Sequence, residues 1–173
     1  FNPLLETLKV AKIKPYIIDL KPLAVARAAS VSNACIVSLE RNYFDIVLVA
    51  NGLVRVIHSI SPSSINPDDP IAIVAELADG FNKAVKSFNR DFPQGAFGPE
   101  DPILLSGELA LNADVPRMIQ DSTGHPASIL NPLIDVPPEM PSGQYAASIG
   151  LILKKYRRGV DHNLYHDINI NLL

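Results

Sequence analysis

The order of hydrophobic periods along this 173-residue chain predicts an α/β domain built on a mixed sheet. Three observations carry that expectation. Residues 34–59 alternate in the manner of strands around an Asn51-Gly52 pair. From residue 71 onward, helical and strand-like periods take turns. Hydrophobic residues make up 47% of the chain and charged residues 19%, which is enough apolar matter for a packed core.

The elements follow in order. Pro3 to Ile13 reads as a helix, since Leu4, Leu5, Leu8 and Ala11 fall near one face and proline suits a first turn. Lys14-Pro15 ends it, Tyr16-Ile17-Ile18 reads as a short buried strand, and Pro22 opens an Ala-rich helix from Leu23 to Ala29. Ala34–Leu39, Tyr43–Ala50 and Leu53–Ser59 read as strands of an antiparallel meander. Asn-Gly favours a type I′ turn because both central positions need positive φ, so Asn51-Gly52 joins the last two as a hairpin.

A Ser/Pro/Asp-rich loop from Ile60 to Pro70 precedes a helix from Ile71 to Phe88. Its apolar face holds Ile71, Val74, Leu77, Ala78, Phe81, Val85 and Phe88. A second loop spans Phe92 to Asp101, and Pro102–Ser106 reads as a strand. Val115–Ser122 reads as a helix with Gly124 as its C-cap, and Ala127–Leu130 as a strand. Four prolines make Asn131 to Ser142 irregular. Gly143 to Tyr156 reads as a final helix whose Ala146, Ala147, Ser148 and Gly150 allow close packing. Lys154, Lys155, Arg157 and Arg158 at its end suit the helix dipole.

Composition also excludes function classes. A net charge of −3, a pI near 5.8 and the absence of Trp argue against a nucleic-acid surface. The lone Cys35 lies in an apolar run and reads as a small buried hydrophobe. His162 and His166 have the i, i+4 spacing of a helical metal site and are flanked by Asp161 and Asp167, but they read as part of a solvated tail, so no metal is expected. His58 and His125 have no nucleophile at a recognisable spacing, and Ser61, Ser63 and Ser64 have no nucleophile elbow. Asp68-Asp69 and Glu100-Asp101 precede prolines and read as loop and cap residues. No catalytic residue is expected.

The words carried by this order resemble PilM-type actin-like proteins of type IV pilus assembly. Leu5 to Arg27 resembles the stretch that re-enters their first lobe, and Ala34 to Val54 the first hairpin of their second lobe. Ile103 to Ala110 resembles the strand and turn that contact adenosine, while Asn131-Pro132 and Tyr145 to Leu153 resemble the closing elements. The resemblance covers residues 4 to 156. Ile170-Asn171-Leu172-Leu173 resembles the cytoplasmic start of PilN proteins, which in that family binds PilM and leads into a transmembrane helix.

The resemblance implies an actin-like (ribonuclease H-like) lobe over residues 31–158, a piece of the first lobe over 1–30, and a PilN-like tail over 159–173. It also implies ATP and magnesium between two lobes, with an Asp-x-Gly phosphate turn. Here Ser38 stands in place of that Asp and Glu40 in place of the Gly; Ser106 and Gly107 remain of the adenosine turn, followed by Glu108 and Leu109. Ser38, Ser106 and Gly107 are therefore expected to be what is left of a cofactor site, with Arg41 able to offset the charge of Glu40. No cofactor is expected in this chain, and no ATP hydrolysis.

The expected role is a scaffold at the cytoplasmic face of the bacterial inner membrane, binding platform partners rather than acting as an enzyme. Ile168, Ile170, Asn171, Leu172 and Leu173 are the expected partner-binding residues, in cis or in trans, and a homodimer is a further expected partner state. The chain opens at Phe1 and is expected to belong to a longer protein whose membrane span follows Leu173, with the basic run Lys154 to Arg158 near the anionic leaflet. Two alternatives stand: the actin-like domain of a type II secretion platform, and a working ATPase of the sugar-kinase and actin superfamily.

Overall fold

A computed structural model of the chain describes residues 2–15, 18–62, 66, 68–132, 134–137 and 139–156. The first helix, α1 (Asn2–Val10), stops three residues earlier than the sequence suggests. Lys12 adopts φ 58°, its N–H reaches the Lys9 carbonyl at 2.9 Å, and the Ile13 N–H reaches Leu8 at 2.8 Å. That pair of bonds is a Schellman cap, which closes the helix before Lys14-Pro15 is reached. The expected strand at Tyr16-Ile17-Ile18 falls largely outside the described residues. Helix α2 (Lys21–Ala29) carries Pro22 in its first turn and ends on Ser30 in the left-handed region.

The meander forms as its alternation dictates: β1 (Ala34–Leu39), β2 (Phe44–Ala50) and β3 (Leu53–Ile60), paired antiparallel. Asn51 (φ 54°) and Gly52 (φ 72°) both take positive φ, as an Asn-Gly hairpin turn requires. Helix α3 (Pro70–Asp91) follows, its N-cap formed by Asp69, whose carboxylate accepts the N–H of Ile71 and Ala72 at 3.0 and 3.2 Å. Then come β4 (Ile103–Ser106), α4 (Val115–Thr123) capped by Gly124 at φ 75°, and β5 (Ala127–Ile129).

The last helix, α5 (Ala146–Tyr156), begins three residues later than periodicity suggests. Gly143 is held outside it: its carbonyl accepts the Gly107 N–H at 3.2 Å, and a Cβ there would lie 2.8 Å from the Ile129 side chain.

The five strands make one sheet in the order β3-β2-β1-β4-β5, with β1, β4 and β5 parallel. Helices cover both faces. Cys35, Val37, Leu39, Ile46, Leu48 and Leu105 pack against α3 and α4, and the thiol of Cys35, wholly buried, is pushed well above its ordinary range by desolvation. Ile36, Val47 and Val49 pack on the other face against α2 and α5.

The α2–α5 layer depends on small side chains and on one buried charge cluster. A Cβ on Gly150 would lie 1.7 Å from the Ala24 carbonyl oxygen, so the two backbones touch where only glycine fits. The buried Arg27 donates to the Gly150 carbonyl and to Asp19 Oδ2, each at 2.9 Å, and Lys154 approaches Asp19 Oδ1 at 3.4 Å. The guanidinium thus ties the carbonyl side of the crossing to the segment entering α2.

Two substitutions test this packing. Gly150→Ala should push α5 off α2 and lower stability by about 1–3 kcal/mol, read from urea midpoints. Gly52→Val should cost a similar ~1–3 kcal/mol, because a β-branched residue is strained at positive φ; an unchanged melting temperature would contradict the hairpin geometry.

Candidate functional site at the carboxyl ends of β1 and β4

In an open α/β sheet, the crevice between parallel strands whose connections leave in opposite directions is where ligands bind. Here the chain leaves β1 toward β2 on one side, and leaves β4 toward β5 on the other. Ser38 pairs with Ser106 in the β1–β4 register, so the structure brings together all three residues that the sequence singles out: Ser38, Ser106 and Gly107.

Their chemistry is consumed internally. Both serines are 2% exposed, and their hydroxyls lie 2.9 Å apart in a mutual hydrogen bond. Ser106 Oγ also lies 3.3 Å from the Val37 carbonyl, to which it donates. Gly107, at φ 95°, answers a need of the fold: a Cβ there would sit 2.4 Å from the Leu39 carbonyl oxygen and 3.0 Å from Glu40 Oε1. The glycine lets the β4 turn lie against the β1 turn, and its N–H is engaged by Gly143.

The charges arrange differently from the sequence expectation. Arg41 does not offset Glu40. Its Nε donates to Glu108 at 2.9 Å and its Nη1 approaches Asp68 at 3.4 Å. Glu40 is met instead by Lys21, at the start of α2, at 2.5 Å. Lys21 also donates to Tyr43 Oη at 2.9 Å, and lies 4.8 Å from that ring's centroid. Burial alone pushes the lysine pKa down, but hydrogen bonds to Glu40 and Tyr43 and the Glu40 charge outweigh it and hold the pKa above its usual value. Glu108 does the same for Arg41, with Asp68 adding to the effect.

Lys21 and Tyr43 are the residues that sequence reasoning missed. Lys21 precedes Glu40 by 19 positions, so no local pattern joins them. Tyr43 is a strand-edge aromatic whose hydroxyl only the fold brings near a lysine.

The remaining candidates are placed as follows. His125 packs edge-on against Phe81 at 5.0 Å and lies 3.1 Å from the Asp101 carbonyl, while His58 is exposed on β3. The carboxylate of Asp101 accepts the Gly98 N–H at 2.8 Å within its loop. Ile168, Ile170, Asn171, Leu172 and Leu173, the His162–His166 pair, and Arg157-Arg158 lie outside the described residues. A cavity of about 360 Å³ opens at the opposite end of the sheet, lined by Asn51, Arg55, Phe88 and Phe92 among others. Among the described residues, no helix is long and apolar enough to cross a membrane.

Solved structures match this geometry. The chain is similar to the PilM-PilN type IV pilus biogenesis complex, with a TM-score of 0.64 and 18% identity over 87% of this chain and 56% of that one. It has an actin-like ATPase fold. The ethanolamine utilization protein EutJ from Carboxydothermus hydrogenoformans matches with a TM-score of 0.54 and 11% identity, over 84% of this chain and 57% of that one. The AlfA filament from a B. subtilis plasmid matches at 0.51 and 19% identity, over 76% and 42%. The chain thus spans about half the length of these actin-like relatives. No protein-family model and no curated protein matches it.

The serine pair yields an asymmetric prediction. Ser106→Ala leaves the buried Ser38 hydroxyl without its observed partner and should cost about 1–3 kcal/mol. Ser38→Ala should cost less, because Ser106 keeps the Val37 carbonyl. Urea unfolding of both single variants and the double variant gives the coupling, and equal costs for the two single changes would contradict the geometry.

Proposed function

We propose that this chain is an actin-like scaffold lobe of a type IV pilus assembly platform, joining partner proteins at the cytoplasmic face of an inner membrane without hydrolysing ATP. The observation that carries the reading is the state of the β1–β4 crevice in a fold similar to a PilM-PilN complex. Two hydroxyls bond to each other, and the carboxylates of Glu40 and Glu108 beside them are held in ion pairs by Lys21 and Arg41. A hydrolytic site needs a group that orients water or metal at that place, and Ser38, buried against Ser106, is poorly suited to do so.

Partner recognition falls, in this reading, to the tail resembling a PilN start. Ile168, Ile170 and Leu172 alternate with Asn169, Asn171 and Leu173, the pattern of an extended segment that pairs its backbone with an edge and sinks alternate side chains into pockets. The occupied groove belongs to an actin-like domain in the same chain or in another copy.

Two measurements test this together. The purified chain should release no phosphate from ATP above background; steady release that is lost on changing Ser38 or Ser106 would overturn the non-hydrolytic reading. The native tail should bind a separately produced full PilM-type domain, and Ile170→Asp with Leu172→Asp should weaken that binding at least tenfold. Undiminished binding, or none with the native tail, would overturn the partner assignment.

A further inference from the structure

The cavity at the hairpin end of the sheet takes no part in the β1–β4 crevice, and two elements distant in sequence build it. One wall is the turn from β2 into β3, with Asn51 and Arg55. The other is the carboxyl end of α3 and the turn after it, with Phe88, Asp91, Phe92 and Gln94. Backbone bonds hold both walls. The Asn51 N–H donates to Asn33 Oδ1 at 2.9 Å. The Phe92 N–H donates to the Phe88 carbonyl at 2.8 Å, and the Phe92 carbonyl accepts the Gly95 N–H at 3.1 Å.

An irregularity of the sheet places Arg55 here. Leu48 pairs with Val56 and Val49 with Val54, so Arg55 is the extra residue on β3 and has no partner on β2. An extra residue of this kind re-aims a side chain, and such bulges recur beside active sites. The guanidinium carbon lies 5.8 Å from the centroid of the Phe92 ring, within reach of a cation–π contact. Phe92 is 44% exposed, and its ring stacks on that of the buried Phe88 at 5.1 Å and 28°. Among the described residues, no carboxylate forms an ion pair with Arg55, while Asp91 on the opposite wall is met by Arg90 Nε at 3.0 Å. The uncommitted charge at the cavity is therefore one guanidinium beside an exposed aromatic ring.

We propose that this cavity docks a segment of a partner protein that presents a carboxylate next to an aromatic side chain. The carboxylate takes the fork of Arg55, and the aromatic ring packs on Phe92. A guanidinium over an aromatic ring keeps N–H donors at the edge of its plane, where a carboxylate accepts two parallel hydrogen bonds. The opposite wall, with Asp91 and the carboxyl end of α3, repels an anion, so the carboxylate sits on the hairpin side. The site needs neither the crevice nor the tail, and so does not rest on the scaffold reading.

Two features favour a protein segment over a free small molecule. The cavity volume of about 360 Å³ is near the lower end for ligand pockets, which run from about 300 to 1,000 Å³. Asn51, Arg55, Asp91, Phe92 and Gln94 are all exposed, so an occupant keeps much of its surface in water. A free ligand is held by burying most of its surface. A side chain on a docked segment gains further contact through its neighbours along the chain.

Amide NMR titration of the chain tests the proposal. The probes are blocked tetrapeptides carrying Phe beside Asp in either order, the same peptides with Asn for Asp, and phenylacetate. The Asp peptides bind at roughly millimolar concentration and shift the signals of Arg55 and Phe92. The Asn peptides bind about fivefold more weakly, for want of the charge-assisted bond. Arg55→Met removes that difference and leaves Asp and Asn peptides equal. Arg55→Lys, which keeps the charge without the fork, retains part of it. Phe92→Ala weakens both kinds of peptide. Both positions are exposed, and the spectrum itself reports that each variant is folded. No binding by the Asp peptides, an Asp preference that survives Arg55→Met, or shifts confined to another face would each overturn the proposal. Phenylacetate binding more tightly than either Asp peptide would overturn the partner segment as occupant and assign the cavity to a free aromatic acid. None of these outcomes bears on phosphate release or on tail binding, so the two readings fail separately.

Discussion

Everything in this molecule is arranged around β1, a strand buried on both faces and both edges. It pairs antiparallel with β2 and parallel with β4, so every side chain it carries must be apolar or internally satisfied. Five of its six residues meet the first condition. Ser38 meets the second, and only because the register sets Ser106 directly beside it. The same register sets Gly107 against the Leu39 carbonyl, where any larger residue would part the two strands. A parallel joint between β1 and β4 thus fixes three identities at once. The residues most suggestive of a ligand site are also those that the sheet needs to close.

That double duty explains what the sequence could and could not disclose. Strand and helix identities were readable because each element keeps one period and ends on a residue with a defined backbone preference: Asn51-Gly52 at the hairpin, Asp69 and Pro70 at the start of α3, Gly124 after α4. Two misplaced boundaries have different causes, a local cap at Lys12 and a tertiary contact at Gly143. Lys12 takes a left-handed φ without being glycine, and Gly143 is drawn out of α5 by a hydrogen bond to the β4 turn. The candidate site was readable as a set of positions, since Ser38, Ser106 and Gly107 do meet. Its electrostatics were not. The partner of Glu40 comes from α2, and pairing across 19 residues leaves no local pattern.

The opposite face of the sheet follows a related rule. Helices α2 and α5 approach until backbone meets backbone at Ala24 and Gly150, which demands small residues along the contact. Such a contact buries little apolar surface per residue, and the chain adds polar bonds to it. Arg27 donates to the Gly150 carbonyl and to Asp19, so a guanidinium with almost no exposure is anchored on both sides of the crossing. Breaking a buried pair of this kind by removing one partner costs about 3–5 kcal/mol, because the other charge is left in a medium that cannot solvate it. The segment entering α2 is therefore fastened to α5 by charge, and α2 is fastened to the sheet by packing.

These two fastenings meet at Lys21. It opens the helix whose far side holds Arg27, and its ammonium closes on Glu40 at the end of β1. Any displacement of α2 along the sheet would separate Lys21 from Glu40 and Arg27 from Gly150 together, since one helix carries both donors. That internal ion pair bridges the turn after β1 and α2. The turn after β1 and the start of α2 are thus joined by the chain's own charges as well as by packing.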